Sequence, residues 1–517
     1  MGRGRGEEKY FQLAYSSMEV EPASVWVPCD FQLANWSTEP VVYAPGLSVE
    51  YGYTDKYSSC IQTSALVSNG QIVEYADHPV ESPVQDCKVV CVFEGAVKDV
   101  ADDAEMRDEK IHRYPEIIVR ARGLRERCTI PLVVAIGPYH HGLDHLKKAE
   151  KMKHAAAWHC VKDPDHLQQM YDAVVDAAQG ARGLYDNDKV AGMSDDDFLP
   201  MMFYDACFLV QYMSLVCATT KAEVSPQMPL FDFINSNRNE IFHDIMLLEN
   251  QLPWPVVHTV LELLSKQPTL QKYIDKRRGC LQDRKGKDSG RDKCIPWDDA
   301  YKPPHLLALL RYYIVGGHKH TRRQDHESRE SLSLSVGATE LAEMGIKLKP
   351  NRTTEVFHMK IKPRWIRFAH LCLAPLSLDD MRASYLVNMA ALELSTTPNF
   401  QDADDERSAV CSYLRLLAML VDKEEDVHLL RRKHILQGGA GLTDKEVLDF
   451  FTTYRGLRLG SCYMSTMKDI QHYKSTKWID IKVYAFFYKY WTRILAIAGI
   501  IGAFVGFLEK LKSITRS

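Results

Sequence analysis

Apolar residues recur at helical spacing through most of this chain from about position 111 onward. The stretch 198–213 is apolar on nearly every side, which is typical of a helix at the centre of a core. Strong helix formers in 147–161 predict a second helix, and Thr443 followed by Glu446 has the form of an N-terminal capping box. Similar patterns predict further helices at 305–315, 384–394, 410–421 and 445–455.

One apolar stripe leads directly into a proline. Its members are Ile241, Ile245, Leu248 and Leu252. Their spacing of i, i+4, i+7 and i+11 places them on one face of a helix. Pro253 cannot continue such a helix because it has no backbone N–H. The pattern therefore predicts a single amphipathic helix that ends at Pro253.

Other segments lack helical periodicity. Residues 1–108 are rich in Ser, Val, Tyr, Pro and Gly and end in an acidic stretch, which predicts a poorly ordered N-terminal extension. Residues 356–362 alternate in part and predict a strand that pairs with 365–378. Charged residues crowd 272–293 and 316–329, so both segments are predicted to be long solvated loops.

The most informative apolar run lies near the C-terminus, at 494–508. A helix of that length covers about 22 Å, which is short of the roughly 30 Å hydrocarbon thickness of a bilayer. Extended back to Tyr484 it reaches about 37 Å, and Trp491 is of a type enriched at membrane boundaries. Residues 483–508 are therefore predicted to form a transmembrane helix, followed by a short basic tail at 509–517. A buried C-terminal helix in a soluble protein is the alternative.

Glycines recur within the predicted membrane helix. Gly502 and Gly506 form a GxxxG pattern, and Gly499 adds a third small residue. Such residues permit close approach of two membrane helices, so a homo-oligomer is one interpretation. Glycine is also simply frequent in membrane helices, which leaves the plainer interpretation open.

Composition limits the classes of function. The 517-residue chain is 46% hydrophobic and 26% charged, as in a globular protein with a real core. A formal net charge of −4 argues against a nucleic-acid partner, although Lys276, Arg277 and Arg278 form a local basic run. Thirteen scattered cysteines suit a reducing compartment. No apolar secretory signal is visible at the N-terminus. We therefore expect a single-pass membrane protein whose body faces the cytosol.

Histidines are concentrated between positions 140 and 159. The group comprises His140, His141, His145, His154 and His159, with Cys160 after it. On a helix, His141 and His145 would share one face and could bind a divalent metal. Gly142 between them and the lack of an HExxH motif favour a turn instead. A membrane-bound, metal-dependent enzyme that uses this cluster with Asp205 or Glu249 is the competing hypothesis.

A second polar group lies at the end of the apolar stripe. Its members are Asp244, Glu249, Asn250 and Gln251. Two carboxylates could perform acid–base chemistry if their environments separated their pKa values. Asp244 and Glu249 lie about 140° apart on a helical wheel, however, so one helix does not aim both at one pocket. We favour a structural interpretation in which the last three residues cap the helix and tie neighbouring loops, with Arg113 or Arg120 as a partner. No nucleophile or phosphate-loop motif is present, and no cofactor is predicted.

Several blocks, taken in order, resemble the plant-specific family known as domain of unknown function 247. They include the IHRYP block ending at Pro115, the block around Gly137 and Pro138, the block beginning at Asp205, and the block from Asp244 through Glu249, Asn250 and Gln251 to Pro253. The likeness covers about 111–508. It implies a mostly helical, membrane-associated plant protein, and it carries over no catalytic residue. Some relatives are linked to self-incompatibility in grasses, so the resemblance implies self/non-self recognition or signalling.

The expected architecture is therefore mainly α. A large irregular helical domain at 109–480 carries a minor β element and is followed by one C-terminal transmembrane helix. The expected function is that of a non-enzymatic interaction component on a membrane, acting with an unidentified protein partner.

Overall fold

The computed structural model of the chain describes residues 96–98, 101, 104–119, 125–161, 163–218, 229–283, 296–316, 336–351, 356, 359–365, 368–400, 403–438, 441–477, 490, 495–506 and 508. All of them belong to the unit that spans Val84–Ser517. Residues 1–95, and with them most of the predicted N-terminal extension, lie outside the described residues.

Helices dominate the described chain, which confirms the expectation of a mainly helical protein. In the first half they are Glu116–Val119, Arg125–Thr129, Lys147–Cys160, Pro164–Ala178, Asn187–Val190, Asp195–Cys217, Pro229–Ser236, Arg238–Ile245, Trp254–Leu263 and Gln267–Arg277. In the second half they are Leu306–Val315, Ala338–Glu343, Asp380–Thr396, Ala409–Leu420, Glu424–Arg432, Asp444–Thr453, Ser461–Thr476 and Leu495–Gly506. Short 3-10 turns lie at Met106–Asp108, Pro138–His140, Asp144–Leu146, Ala181–Leu184, Asp405–Ser408 and Tyr454–Gly456.

The helix Asp195–Cys217, here called the central helix, organises the first half of the core. It begins at Ser194, whose hydroxyl accepts from the Asp197 amide at 3.2 Å. Of the described helices it alone is long and apolar enough to cross a membrane, but 67% of its apolar stretch is buried inside the protein. The helices packed around it are Lys147–Cys160, Pro164–Ala178, Trp254–Leu263 and Gln267–Arg277. Its all-round apolar pattern is therefore that of a core helix.

The second half of the core is built around Asp380–Thr396 and Ala409–Leu420, which pack on one another. Nearly every side chain of Ala409–Leu420 is buried. Thr443 starts the next helical layer with the predicted capping box. Its hydroxyl accepts from the Glu446 amide at 3.3 Å, while the Glu446 carboxylate accepts from the Thr443 amide at 2.8 Å. That prediction is confirmed.

A small sheet lies between the two groups of helices in the sequence. Its strands β1 (Ile346–Pro350), β2 (Lys360–Trp365) and β3 (Phe368–Leu373) are ordered β1-β3-β2. β3 pairs parallel with β1 and antiparallel with β2. A second sheet joins β4 (Leu376–Ser377) and β5 (Leu436–Gln437) in parallel. The predicted pairing of the segment after Trp365 is correct, but the strand before it starts at Lys360, and β1 was not predicted.

Two local predictions are wrong. The apolar stripe does not form one helix. The helix Arg238–Ile245 ends at Ile245, and the chain continues through turns to Pro253. All four residues of the stripe are buried nonetheless. The apolar pattern therefore reflects burial, which continues past the end of the helix. The predicted loop 272–293 is also helical at its start, within Gln267–Arg277, since Tyr273 and Ile274 are core residues.

The ends of the predicted domain differ from one another. Asp108, at the end of the predicted extension, lies in a 3-10 turn and pairs with Arg407 of the helical body. Near the other end, Leu495–Gly506 is an apolar helix whose side chains are exposed. Within the described residues it is shorter than the roughly 20 residues that a membrane span needs, and 483–489 lies outside them.

Candidate functional site

A buried aspartate holds the Gly-Pro block of the sequence in place. Asp244 has no exposed surface, and its carboxylate accepts from the amides of Leu132 and Val133 at 2.7 Å and of Val134 at 2.8 Å. The ring Nδ1 of His243 lies 3.1 Å from the same carboxylate. A buried carboxylate is tolerated only when it is well hydrogen-bonded. Here the loop supplies those bonds, and the carboxylate fixes the path of the loop.

Asn250 extends the same tie by bonding on both of its amide atoms. Its Oδ1 accepts from the Ile136 amide at 2.7 Å. Its Nδ2 donates to the carbonyls of Val134 at 3.1 Å and Asp244 at 3.0 Å. The fully buried side chain therefore joins the loop to the end of the helix that carries Asp244.

Gln251 closes the C-terminal end of that helix. Its Nε2 donates to the carbonyls of Ile245 and Leu247, both at 2.7 Å. Its Oε1 accepts from the Leu307 amide at 3.0 Å, in the first turn of Leu306–Val315. Backbone groups at helix ends need such partners when they are buried. These side-chain bonds replace the helical bonds that the apolar stripe predicted.

Gly137 sits where three segments meet. Its φ is +76°, and a Cβ there would lie 2.5 Å from the Gln251 carbonyl oxygen. That carbonyl also accepts from the Tyr185 hydroxyl at 3.0 Å, and the Gly137 amide donates to Asp205 at 2.8 Å. Buried Pro138 then starts a 3-10 turn. Only glycine fits this close approach without displacing its neighbours.

Asp205 projects from the central helix and forms a buried ion pair. The Lys153 ammonium lies 2.6 Å from its carboxylate and 2.7 Å from that of Glu150. Both Lys153 and Asp205 are about 1% exposed. Burial alone would lower the pKa of Lys153, but the charges of Asp205 and Glu150 outweigh it and raise that pKa. The lysine stays protonated and anchors Lys147–Cys160 to the central helix.

Glu249 forms the partly exposed edge of the site. Its carboxylate accepts from the Tyr114 amide at 2.8 Å and lies 3.6 Å from Nε of Arg113. Burial raises the pKa of Glu249, and the Tyr114 hydrogen bond and the Arg113 charge oppose that rise. The Arg113 guanidinium also lies 4.8 Å from the centre of the Tyr139 ring. Half-buried Pro115 follows, so Glu249 binds the IHRYP block at its backbone.

Asn388 joins this group of buried polar residues, and the sequence analysis did not predict it. Its Oδ1 accepts from the Leu248 amide at 2.7 Å and from the Tyr114 hydroxyl. Its Nδ2 donates to the carbonyls of Cys128 at 3.1 Å and Ser384 at 2.8 Å. Nothing local in the sequence identifies partners so far along the chain.

A buried charge network in the second half of the core was also missed. The Arg311 guanidinium donates to Glu393 at 2.7 Å and to the Glu406 side chain. Glu393 also accepts from the amides of Val410 and Cys411 at 2.8 Å. Because Arg311 sits within an apolar helix sequence, its burial could have been suspected, but its partners could not.

His141 and His145, the candidate ligands of the competing metal hypothesis, do not share a helix face. His141 is exposed in a turn, and Gly142, with a φ of +82°, lies between the 3-10 turns Pro138–His140 and Asp144–Leu146. His145 Nε2 instead lies 3.0 Å from the Pro131 carbonyl oxygen. Burial lowers the pKa of His140 to about 4. Within the described ranges, no group of three or more His, Cys, Asp or Glu could hold a metal.

The remaining residues singled out in the sequence are Pro253 and those of the predicted C-terminal membrane helix. Buried Pro253 precedes the helix Trp254–Leu263 as its N-cap. Trp491 lies outside the described residues. The glycines of the predicted small-residue pattern are exposed and have no atom within 4 Å of an added Cβ; they are Gly499, Gly502 and Gly506.

The chemistry of the cluster is that of internal hydrogen bonding. Asp244, Asn250 and Gln251 direct their polar atoms at backbone groups of neighbouring segments. Asp205 is held by a lysine and an amide. Such an arrangement positions loops and holds helices together.

Fold and cluster define a large, mainly helical protein whose motif blocks bind one another inside the core. The chain belongs to the DUF247 family, described as "Plant protein of unknown function", whose model matches residues 111–505. It is similar to an Arabidopsis thaliana protein named UPF0481 protein At3g47200, with 25% identity over 375 residues that make up 66% of this chain and 71% of that protein. No solved structure matches the chain. The family resemblance is confirmed.

Proposed function

We propose that this plant protein is a membrane-anchored, non-enzymatic component that presents an interaction surface to a protein partner. The observation that carries the proposal is the exposed apolar face of Leu495–Gly506. Ile500 is 69% exposed and Phe504 61% exposed, and contiguous apolar surface of this kind is typical of a membrane or protein contact. Hydrocarbon is the environment that suits a helix apolar on all sides.

The interaction role is supported by the use of the motif residues. The carboxylates and amides that an enzyme could have used are engaged with backbone groups of the core. On the surface, by contrast, Trp158 is 77% exposed on the helix Lys147–Cys160. Tryptophan is enriched among the residues that dominate protein interfaces. In this proposal the helical body faces the cytosol, and the protein acts in self/non-self recognition or signalling.

Membrane attachment is tested with fluorescent fusions of the full chain and of a chain lacking residues 483–517. The full chain should sediment with membranes, and the truncated chain should remain in the supernatant. Protease protection then fixes the orientation of the body. If both chains stay in a high-speed supernatant without detergent, the proposal fails.

The interaction role is tested by proximity labelling from the full chain in plant cells. A reproducible set of membrane partners should be lost with Trp158→Ala and kept with Lys151→Ala, an exposed residue of the same helix. If no partner is reproducible, or if both variants label the same partners as the wild type, the proposed surface is wrong.

A further inference from the structure

Basic side chains gather at the C-terminal end of the central helix. They are Arg238, Lys272, Lys276 and Arg277. Lys276 Nζ donates to the Val216 carbonyl at 2.7 Å, and Arg238 Nη2 lies 3.4 Å from the same oxygen. Arg277 Nη2 donates to the Tyr212 hydroxyl at 2.8 Å. Two segments distant in sequence, one carrying Arg238 and the other carrying Lys272, Lys276 and Arg277, thus bring their positive charges to one place, here called the basic cluster.

The basic cluster has no carboxylate partner within the described part of the chain. Asp275, on the same helix as three of its members, pairs instead with Arg278 at 3.4 Å. Lys272 and Lys276 are exposed to solvent, while Arg277 is half-buried. Positive groups that lie close together without counter-charges repel one another, and this repulsion acts on Lys276.

The electrostatic surroundings of Lys276 are positive. Burial lowers its pKa, and the charges of Arg238, Arg277 and Lys272 lower it further, opposed by Cys217. A helix C-terminus carries only about half a negative charge. One of these cations offsets that charge, so the cluster as a whole is left with excess positive charge. An anion would relieve the repulsion.

The donors needed to recognise an anion are already held in place. The Arg277 guanidinium lies 4.0 Å from the centre of the Phe242 ring, which fixes its plane. Nε of Arg277 and Nε of Arg238 are buried atoms with no hydrogen-bond partner within the described residues. Planar guanidinium groups donate in pairs to phosphate, and lysines add point charges.

We propose that the basic cluster binds a phosphate group, either free or on the headgroup of an anionic lipid. Binding of phosphate itself does not depend on the proposed membrane attachment, whereas the lipid source rests on it. Anionic headgroups lie at the cytoplasmic surface of membranes, where basic residues near a membrane anchor contact them.

The test uses the full chain in neutral detergent, titrated with inorganic phosphate at constant ionic strength in a calorimeter. Lys272→Gln with Lys276→Gln should weaken phosphate binding by about tenfold or more. The control, Lys302→Gln with Lys349→Gln, changes two exposed lysines elsewhere and should bind as the wild type does. Because Lys276 also bonds a carbonyl, Lys272→Gln alone separates lost binding from a disturbed fold. Absence of phosphate binding in the wild type, or equal affinity in all variants, overturns the proposal.

The source of the phosphate is distinguished in phosphatidylcholine nanodiscs with and without phosphatidic acid. If the lipid headgroup occupies the cluster, phosphatidic acid should weaken the apparent affinity for inorganic phosphate in the wild type but not in the double variant. An unchanged affinity supports free phosphate. Failure of the chain to enter nanodiscs counts against the membrane anchor alone, since the detergent titration still tests phosphate. Tight binding of duplex DNA without binding of phosphate would overturn the proposal.

Discussion

Replacing Gly137 by alanine should destabilise the protein far more than the same replacement at Gly142. Both glycines have a left-handed φ, +76° and +82°, so alanine costs about 1–2 kcal/mol of backbone strain at either position. Their surroundings differ. An added Cβ at Gly137 meets the Gln251 carbonyl oxygen at 2.5 Å and the Tyr185 hydroxyl at 3.1 Å, whereas nothing lies within 4 Å at Gly142.

The difference between the two variants isolates the close approach. The Gln251 carbonyl must move to admit the methyl group, and it accepts from the Tyr185 hydroxyl at 3.0 Å. Losing that hydrogen bond costs about 1 kcal/mol, and overpacking a dense core costs about 1–3 kcal/mol. Gly137→Ala should therefore lower the free energy of unfolding by about 2–4 kcal/mol more than Gly142→Ala does.

The measurement is urea unfolding of the full chain in one neutral detergent, followed by far-ultraviolet circular dichroism. The wild type, Gly137→Ala and Gly142→Ala are compared at equal protein concentration. The midpoint should fall slightly for Gly142→Ala and strongly for Gly137→Ala. Equal midpoints for the two variants would refute the inference that the Gly-Pro block is packed against Gln251.

Three further predictions concern buried polar groups. Asp244→Asn puts a donor among amide donors and should cost about 2 kcal/mol, while the exposed Asp449→Asn should change stability by less than about 0.5 kcal/mol; equal thermal shifts would contradict this. Glu393→Ala strips Arg311 of its most buried partner and should cost about 3 kcal/mol or more, and an unchanged melting temperature would count against it. Burial lowers the pKa of His305 to about 3, so the unfolded chain takes up the proton first, and stability falls by about 1.4 kcal/mol per unit as pH drops from about 6.5 to about 3. His305 Nδ1 accepts from the Ala308 amide at 3.3 Å and so caps the start of Leu306–Val315. His305→Asn keeps an acceptor for this cap and should flatten stability between about pH 7 and about pH 5; an unchanged slope would exclude this contribution.

Apolar patterns predict most helices here because their apolar side chains are buried in a common core. The central helix and Ala409–Leu420 are examples, with buried side chains along nearly their whole length. The same signal misleads at 241–252, where burial continues after the helix has stopped. There, Asn250 and Gln251 supply the hydrogen bonds that a further helical turn would have made.

Residue type predicts part of the candidate site, and distance in sequence hides the rest. Polar residues in an apolar block must be bonded if they are buried, so the role of Asn250 could be anticipated. The role of Lys153 could not be anticipated. This lysine sits among other charged residues on its helix, and its partner Asp205 comes from the central helix. β1 alternates apolar and charged residues, but its short length and distant parallel partner leave little local signal.

The long-range ties of the motif blocks bear on how the protein is made. Amides at 132–136 donate to side chains 110 to 114 positions later in the chain. The Cys128 carbonyl accepts from Asn388, which follows it by 260 positions. At a synthesis rate of ~5–20 residues per second, the ribosome needs ~13–50 s to cover that last interval. During this time the Gly-Pro block has emerged while the helix Asp380–Thr396 has not. The nascent chain therefore exposes apolar segments that cannot yet be covered, a state that invites chaperone binding and delays the completion of folding until most of the polypeptide is free.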